Sequence, residues 1–175
     1  MSSSAPSSSA GIEVIGNKKI VSAVVNILKE IVEDNKHNKG IKAETLEKQK
    51  RLSFYSKNPA SITVGGYLER VLKYTHIEES TLIIALIYID RMCELNSIFL
   101  VDSNIHRVMF TGLLLAIKYN EDDFYTNNYY SKVGGITVKE MNALEYEFMK
   151  LLKYSLFVKT PTYDKYKTYL YHYKK

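Results

Sequence analysis

Cysteine and paired histidines, the side chains that build disulfides and metal sites, are scarce in this sequence. Cys93 is the single cysteine of 175 residues, so an intramolecular disulfide is excluded and a reducing compartment, cytoplasm or nucleus, is expected. It lies in an apolar segment, where a thiol acts as a small buried hydrophobe. The four histidines form no His-x-x-x-His or Cys-x-x-Cys pair. We therefore predict no metal site and no cofactor.

Long apolar runs are absent as well. The longest, from Leu82 to Ile89, is far below the roughly 20 residues that a membrane-spanning helix requires. The opening stretch MSSSAPSSSAG lacks the apolar core of a secretory leader. We expect a soluble intracellular protein without a membrane partner.

Charge of one sign is only mildly in excess. The net charge is +5, and Lys and Arg are interspersed with acidic residues along the chain. Proteins that bind nucleic acids usually gather their basic residues on one stripe or face. No such stripe is visible, so we predict no nucleic-acid partner.

Strand signals are missing too, which points to an all-α protein. The sequence has no alternating apolar pattern and no Asn-Gly hairpin, whereas apolar residues recur three and four positions apart. Composition and periodicity predict four segments: a disordered tail at 1–16, an N-terminal helix at 17–36, a polar linker at 37–58 with room for a short helix at 43–52, and a dense helical region at 59–175.

We expect a compact bundle of about seven helices, most of which lie in the dense region. Its helices are expected at 61–74, 79–95, 104–119 and 137–152, with one more after Thr160. The clearest start is Thr137 with Glu140 three residues later, a capping-box pattern. Thr160 before Pro161 predicts another N-cap, with proline at the first helical position. The helix at 61–74 is weakened by two glycines, each at roughly 1 kcal/mol against alanine.

The stretch NNYYSKVGGIT at 127–137 raises the question of a phosphate-binding loop. A P-loop needs a glycine, four spacers and then Gly-Lys-Ser/Thr between a strand and a helix. Here the lysine precedes the glycines and no strand comes before it. We therefore interpret Gly134 and Gly135 as a tight structural entry into the capped helix.

Residues with catalytic spacing are also lacking. Asp122 and Asp123 are adjacent in a polar loop, where solvated turn residues are the common case. Asp90 ends an apolar run and is interpreted as a paired structural carboxylate. No serine or cysteine stands in a nucleophile motif. We predict that the chain is not an enzyme and has no small-molecule substrate.

Two charged residues invite a different interpretation. Lys118 ends the most apolar helix, where a lysine complements the helix dipole. Glu145 lies in the middle of the capped helix, with Met149 four residues later and off the core stripe. A carboxylate beside an apolar side chain on the outer face is typical of a partner-binding surface, although a solvated face is the simpler alternative.

Four consecutive segments of the chain resemble the cyclin box, most closely that of PHO-type (P- or U-type) cyclins. They are SITVGGYLERVLKYT at 61–75, LIIALIYIDR at 82–91, the run from NIHRV to GGIT at 104–137, and KEMNALEYEFMKLLKYSLFV at 139–158. In this resemblance, NNYYSKVGGIT corresponds to the fourth helix of the box and the hinge into the fifth. It implies a single five-helix box with an extra N-terminal helix and a short C-terminal helix.

The resemblance also implies a function. Family members are regulatory subunits that activate a cyclin-dependent kinase by docking on its C-helix, in cell-cycle or phosphate and nutrient signalling. Lys118 and Glu145 match the family's lysine at the end of the third helix and its glutamate in the fifth. The apolar side chains around that grip correspond to Leu115, Tyr119, Met149, Tyr154 and Leu156.

Two alternatives and one departure accompany this interpretation. Relatives of the box also act as scaffolds or bind nucleic acid, but the latter role needs a basic face. A third class, a small-molecule enzyme, has no residues to support it. Cyclins that recruit substrates carry an MRAIL-like motif on the first box helix. The corresponding stretch here is ASITV, at 60–64, so that docking function is not expected.

Overall fold

The computed structural model describes residues 17–175, and that part of the chain forms eight helices and no strand. The helices are α1 (Lys18–His37), α2 (Ala43–Gln49), α3 (Val64–Thr75), α4 (Glu79–Asn96), α5 (Ile105–Asn120), α6 (Asn127–Gly134), α7 (Val138–Leu151) and α8 (Thr160–His172). The all-α prediction is confirmed. The disorder predicted for 1–16 lies outside the described residues.

Helix α5 is the centre of the bundle, because its side chains are apolar on almost every side. All residues from Val108 to Ile117 are buried, and α5 packs against α3, α4 and α7. The contact with α4 is close at Gly112, where a Cβ would lie 2.9 Å from Cγ1 of Ile89. Helix α6 packs on α3 and α7, while α1 lies across α3 and α8.

The helix starts follow the local sequence, with one exception. Thr137 caps α7, and its capping box with Glu140 is complete: the Glu140 amide donates to the Thr137 hydroxyl at 3.1 Å, and the Thr137 amide donates back to the carboxylate at 2.8 Å. The predicted cap at Thr160 is wrong. Lys159 is the N-cap of α8, and Thr160 is already helical. Pro161 fits because its missing N–H is not needed in the first turn.

The segment between α1 and α3, predicted as a polar linker, is packed against the bundle. Phe54 is 1% exposed, and its ring meets Phe148 edge to face with centroids 5.7 Å apart. The backbone of Ser53 is held from both sides, because Arg107 donates to its carbonyl at 3.0 Å and its amide donates to Glu147 at 2.6 Å. The packing of Phe54 and the hydrogen bonds at Ser53 therefore hold this segment against the bundle.

The glycine pairs have separate explanations. Gly65 and Gly66 lie in the first turn of α3 and not in its interior, and a Cβ on Gly65 would press on Val25 of α1 at 3.3 Å. Apolar periodicity predicts no helix before the second pair, whereas the resemblance implies one there, and 127–134 form helix α6. This helix explains why the structure has eight helices where periodicity predicts about seven. Gly135 ends α6 with φ of 70°, a left-handed conformation that favours glycine.

Membrane and metal sites can be assessed for the described residues alone. None of the helices within 17–175 combines the length and apolarity needed to cross a bilayer. The same residues contain no group of three His, Cys, Asp or Glu side chains placed to hold a metal ion. Cys93 is half-buried, and burial raises the pKa of its thiol to about 12, so it is a poor nucleophile.

Candidate functional site: the Lys118–Glu145 pair

The fold brings together Lys118, in the last turn of α5, and Glu145, in the middle of α7. The lysine Nζ lies 2.8 Å from Oε1 and 3.1 Å from Oε2 of the glutamate. Each side chain is 21% exposed, so the pair is mostly shielded but open on one side. The two residues that the sequence singled out, 27 positions apart, therefore form one polar unit.

Apolar residues flank this pair along the chain. Leu115 lies one turn before Lys118 and is buried, at 4% exposed. Met149 lies one turn after Glu145 and is half-buried against the core. Leu156, beyond the end of α7, is buried at 8% exposed. We call these three residues the apolar floor of the site; Leu115 and Leu156 are buried, and Met149 alone among them is partly exposed.

Exposed aromatic rings complete the site. Tyr119 and Tyr154, both predicted from the resemblance, are 53% and 61% exposed. Phe157, which the sequence reasoning missed, is 69% exposed, the largest fraction among the exposed large hydrophobic residues of 17–175. No local signal could have identified it, because a phenylalanine in the apolar stretch LFVK is expected to be buried. Its exposure depends on the path of the chain after α7. Exposed aromatic rings of this kind are typical of a protein-binding surface.

The chemistry of the pair suits recognition of a helix end or loop. Lys118 has three N–H donors and uses two directions toward Glu145, which leaves donor capacity open. The carboxylate of Glu145 still has free lone pairs that can accept from a partner's backbone amides. Because the two charges already neutralise one another, covering the pair would not leave an isolated buried charge.

The backbone beyond α7 is held from behind by α4. Tyr88, a fully buried side chain, donates its hydroxyl hydrogen to the carbonyl of Leu156 at 2.7 Å. Nη1 of Arg91 donates to the carbonyls of Ser155 at 2.8 Å and Phe157 at 3.3 Å. Sequence reasoning missed both residues, because their spacing shows a shared helix face but not the backbone that the face meets.

Asp90 lies between these two residues on α4 and contacts a different partner. The hydroxyl of Tyr166 in α8 donates to its Oδ2 at 2.8 Å. Burial raises the pKa of Asp90, and the hydrogen bond from Tyr166 partly opposes that shift. This arrangement supports the predicted structural role, since Asp90 contacts another helix of the fold and not an open site.

Comparisons with known proteins cover the same region. The family model described as Cyclin matches residues 16–156. Cyclin-U4-1 of Arabidopsis thaliana is 33% identical over 156 residues, which are 88% of this chain and 77% of the plant protein. PHO85 cyclin-7 of Saccharomyces cerevisiae is 37% identical over 132 residues, which are 69% of this chain and 46% of the yeast protein. The residues matched by the family model include the Lys118–Glu145 pair and its apolar floor.

Proposed function

The chain belongs to the cyclin family, related to the PHO85-type and plant U-type cyclins, and we propose that it binds and activates a cyclin-dependent kinase through the surface around Lys118 and Glu145. Cyclins are non-catalytic regulators of protein kinases, so the chain supplies no reacting group. The yeast relative's name makes a PHO85-type kinase the first candidate partner.

The observation that carries this proposal is the polar pair on an apolar floor. The resemblance implies a mode of kinase docking in which a lysine of the third box helix and a glutamate of the fifth lie close together. Lys118 and Glu145 meet these requirements from α5 and α7, within hydrogen-bonding distance. Tyr119 and Tyr154 stand exposed beside them and offer apolar area to a partner.

The mechanism follows from kinase chemistry. Phosphoryl transfer requires an ion pair between the lysine of strand β3 and the glutamate of the C-helix. A regulator that binds only the conformation with this pair formed shifts the kinase population toward it, by as much as its preference for that conformation. The Lys118–Glu145 pair would hold the C-helix, and the exposed rings would fix its position. A total buried area of roughly 1,600 Å² or more is expected.

The first test is binding and activation. The purified protein is mixed with a panel of cyclin-dependent kinases that includes the PHO85 kinase, and complex formation and phosphorylation of a generic substrate are measured. Wild type should bind one kinase stably and raise its activity. Lys118→Ala or Glu145→Ala should weaken binding by about tenfold or more, because each leaves one charge unpaired at the interface.

A charge swap separates recognition from folding. The double variant Lys118→Glu with Glu145→Lys preserves an ion pair, so its melting temperature should stay near that of wild type, but the exchanged donors and acceptors should abolish activation. Lys48→Ala, which breaks the exposed Lys48–Glu44 pair of α2, is the matched control and should bind as wild type does. If the swap variant activates normally, or if wild type binds no kinase of the panel, the proposal fails.

A further inference from the structure

Residues 154–158, here called the display segment, combine irregular backbone with tight anchoring. The segment belongs to no helix, and Tyr154 at its start has φ of 58°. Yet the carbonyls of Ser155, Leu156 and Phe157 each accept a hydrogen bond from α4. Three consecutive anchored carbonyls make an ordered loop, because any shift of the chain would break several hydrogen bonds together.

Two neighbouring side chains of the anchored backbone face opposite ways. Leu156 is 8% exposed, while its neighbour Phe157 is 69% exposed. The phenylalanine side chain has no polar atom, so its exposure to water is unfavourable. The hydrogen bonds to the backbone nevertheless hold the residue where its ring stays exposed. The cost of ordering this side chain in a complex is therefore lowered before a partner arrives.

The display segment is connected to both helices that carry the Lys118–Glu145 pair. The Tyr88 hydroxyl that binds the segment is also 3.4 Å from the side-chain amide of Asn120, two residues after Lys118. At the other helix, the amide of Tyr154 donates to the carbonyl of Met149 at 3.0 Å. The segment thus follows α7 directly and is linked to α5 through the Tyr88 hydroxyl, so a partner that covers the polar pair and extends along this segment would meet Phe157.

We propose that Phe157 is an additional anchor for the kinase and that Arg91 is a positioning residue that presents it. This inference rests on the proposed function, since the occupant is the same kinase. Phe157 would fill an apolar depression on the kinase next to the C-helix contact. Arg91 would act through Nη1 of its guanidinium, which donates to two carbonyls of the display segment.

The test is a double-mutant cycle on kinase binding. Phe157→Ala should weaken binding by about tenfold, as expected for a central aromatic anchor. Arg91→Ala should weaken it by about fivefold in the wild-type background and by less than about twofold in the Phe157→Ala background, because Arg91 acts through the ring. Equal losses in both backgrounds would overturn the positioning role. Wild-type affinity of Phe157→Ala would overturn the anchor.

Two further measurements keep the outcomes distinct. Hydrogen exchange of the free protein should show faster exchange in 154–158 for Arg91→Ala and an intermediate rate for Arg91→Lys, which keeps a single donor nitrogen. Unchanged exchange would contradict the anchoring. Tyr169→Ala and Arg51→Ala remove an exposed ring on α8 and an exposed arginine before α3, and both should bind as wild type does. If wild type itself binds no kinase, the proposed function fails; if only the Phe157 and Arg91 variants behave as wild type, this inference alone fails.

Discussion

The end of α6 and the segment after α7 are held in the same way, by a tyrosine and an arginine three residues later on a neighbouring helix. At the end of α6 the pair comes from α3. Tyr67 donates to the carbonyl of Gly134 at 2.9 Å, and Arg70 donates to the carbonyl of Val133 through Nε at 3.1 Å and Nη2 at 2.7 Å. The display segment is held by the corresponding pair of α4, Tyr88 and Arg91.

The two anchored regions differ in the exposure of the anchored residues themselves. At the end of α6 these residues are buried: Val133 is 7% exposed, and Gly134 lies against the ring of Phe110. After α7 the chain turns outward and exposes Tyr154 and Phe157. The same hydrogen-bonding device therefore supports packing in one place and presentation of side chains in the other. Its role cannot be inferred from the Tyr-x-x-Arg spacing alone.

The substitution Gly134→Ala should have the largest effect, because it disturbs the packing at the end of α6. A Cβ there would lie 2.6 Å from Cζ of Phe110, so the ring or helix α6 must move. We expect a loss of about 2–3 kcal/mol in the free energy of unfolding, measured by urea denaturation. Gly40→Ala is the control, since its Cβ would meet only the exposed Asn38 side chain, at 3.0 Å, and it should cost less than about 0.5 kcal/mol. An unchanged stability of Gly134→Ala would contradict the packing role.

The next test compares the end of α6 with the display segment by removing one tyrosine hydroxyl from each. Tyr67→Phe and Tyr88→Phe each leave a carbonyl without its donor, and we expect each to lower the free energy of unfolding by about 1–2 kcal/mol. Only Tyr88→Phe should also weaken kinase binding, because only its carbonyl belongs to the display segment. Affinity measured on the folded protein at low temperature separates the two effects. An equal loss of kinase affinity in Tyr67→Phe would show that the end of α6 and the display segment do not differ in their effect on binding.

The smallest effect concerns alkaline pH. Burial raises the pKa of Tyr67 from 10.0 to about 12. The folded state therefore holds the phenol proton more tightly than the unfolded state. The resulting stability is fully present below pH 10 and is lost as the pH rises toward 12. The gap in urea midpoint between wild type and Tyr67→Phe should narrow over this window. A constant gap from about pH 9 to about pH 11.5 would show that Tyr67 does not contribute to the alkaline loss.

Much of the fold was predictable from local signals. The capping box at Thr137 and the apolar periodicity of α1 depend on residues within a turn or two of one another, so the sequence displays them directly. The anchoring of Ser53 and Phe54 escaped prediction, because a mostly polar and charged stretch looks like solvent-exposed chain. Helix α6 was missed by pattern and found only through the family resemblance, since its eight residues are too short for a clear period.

The candidate site was likewise predictable only in part. Lys118 and Glu145 could be named from the sequence, because each occupies a distinctive place on its own helix. That their side chains form one pair, that Phe157 is exposed while Leu156 is buried, and that Arg91 holds the chain between them depend on the packing of α4, α5 and α7. Local sequence specifies a helix and its faces through short-range sterics and hydrogen bonds. Which carbonyl or side chain each face meets depends on contacts between residues far apart in the chain, and those exist only once the bundle has formed.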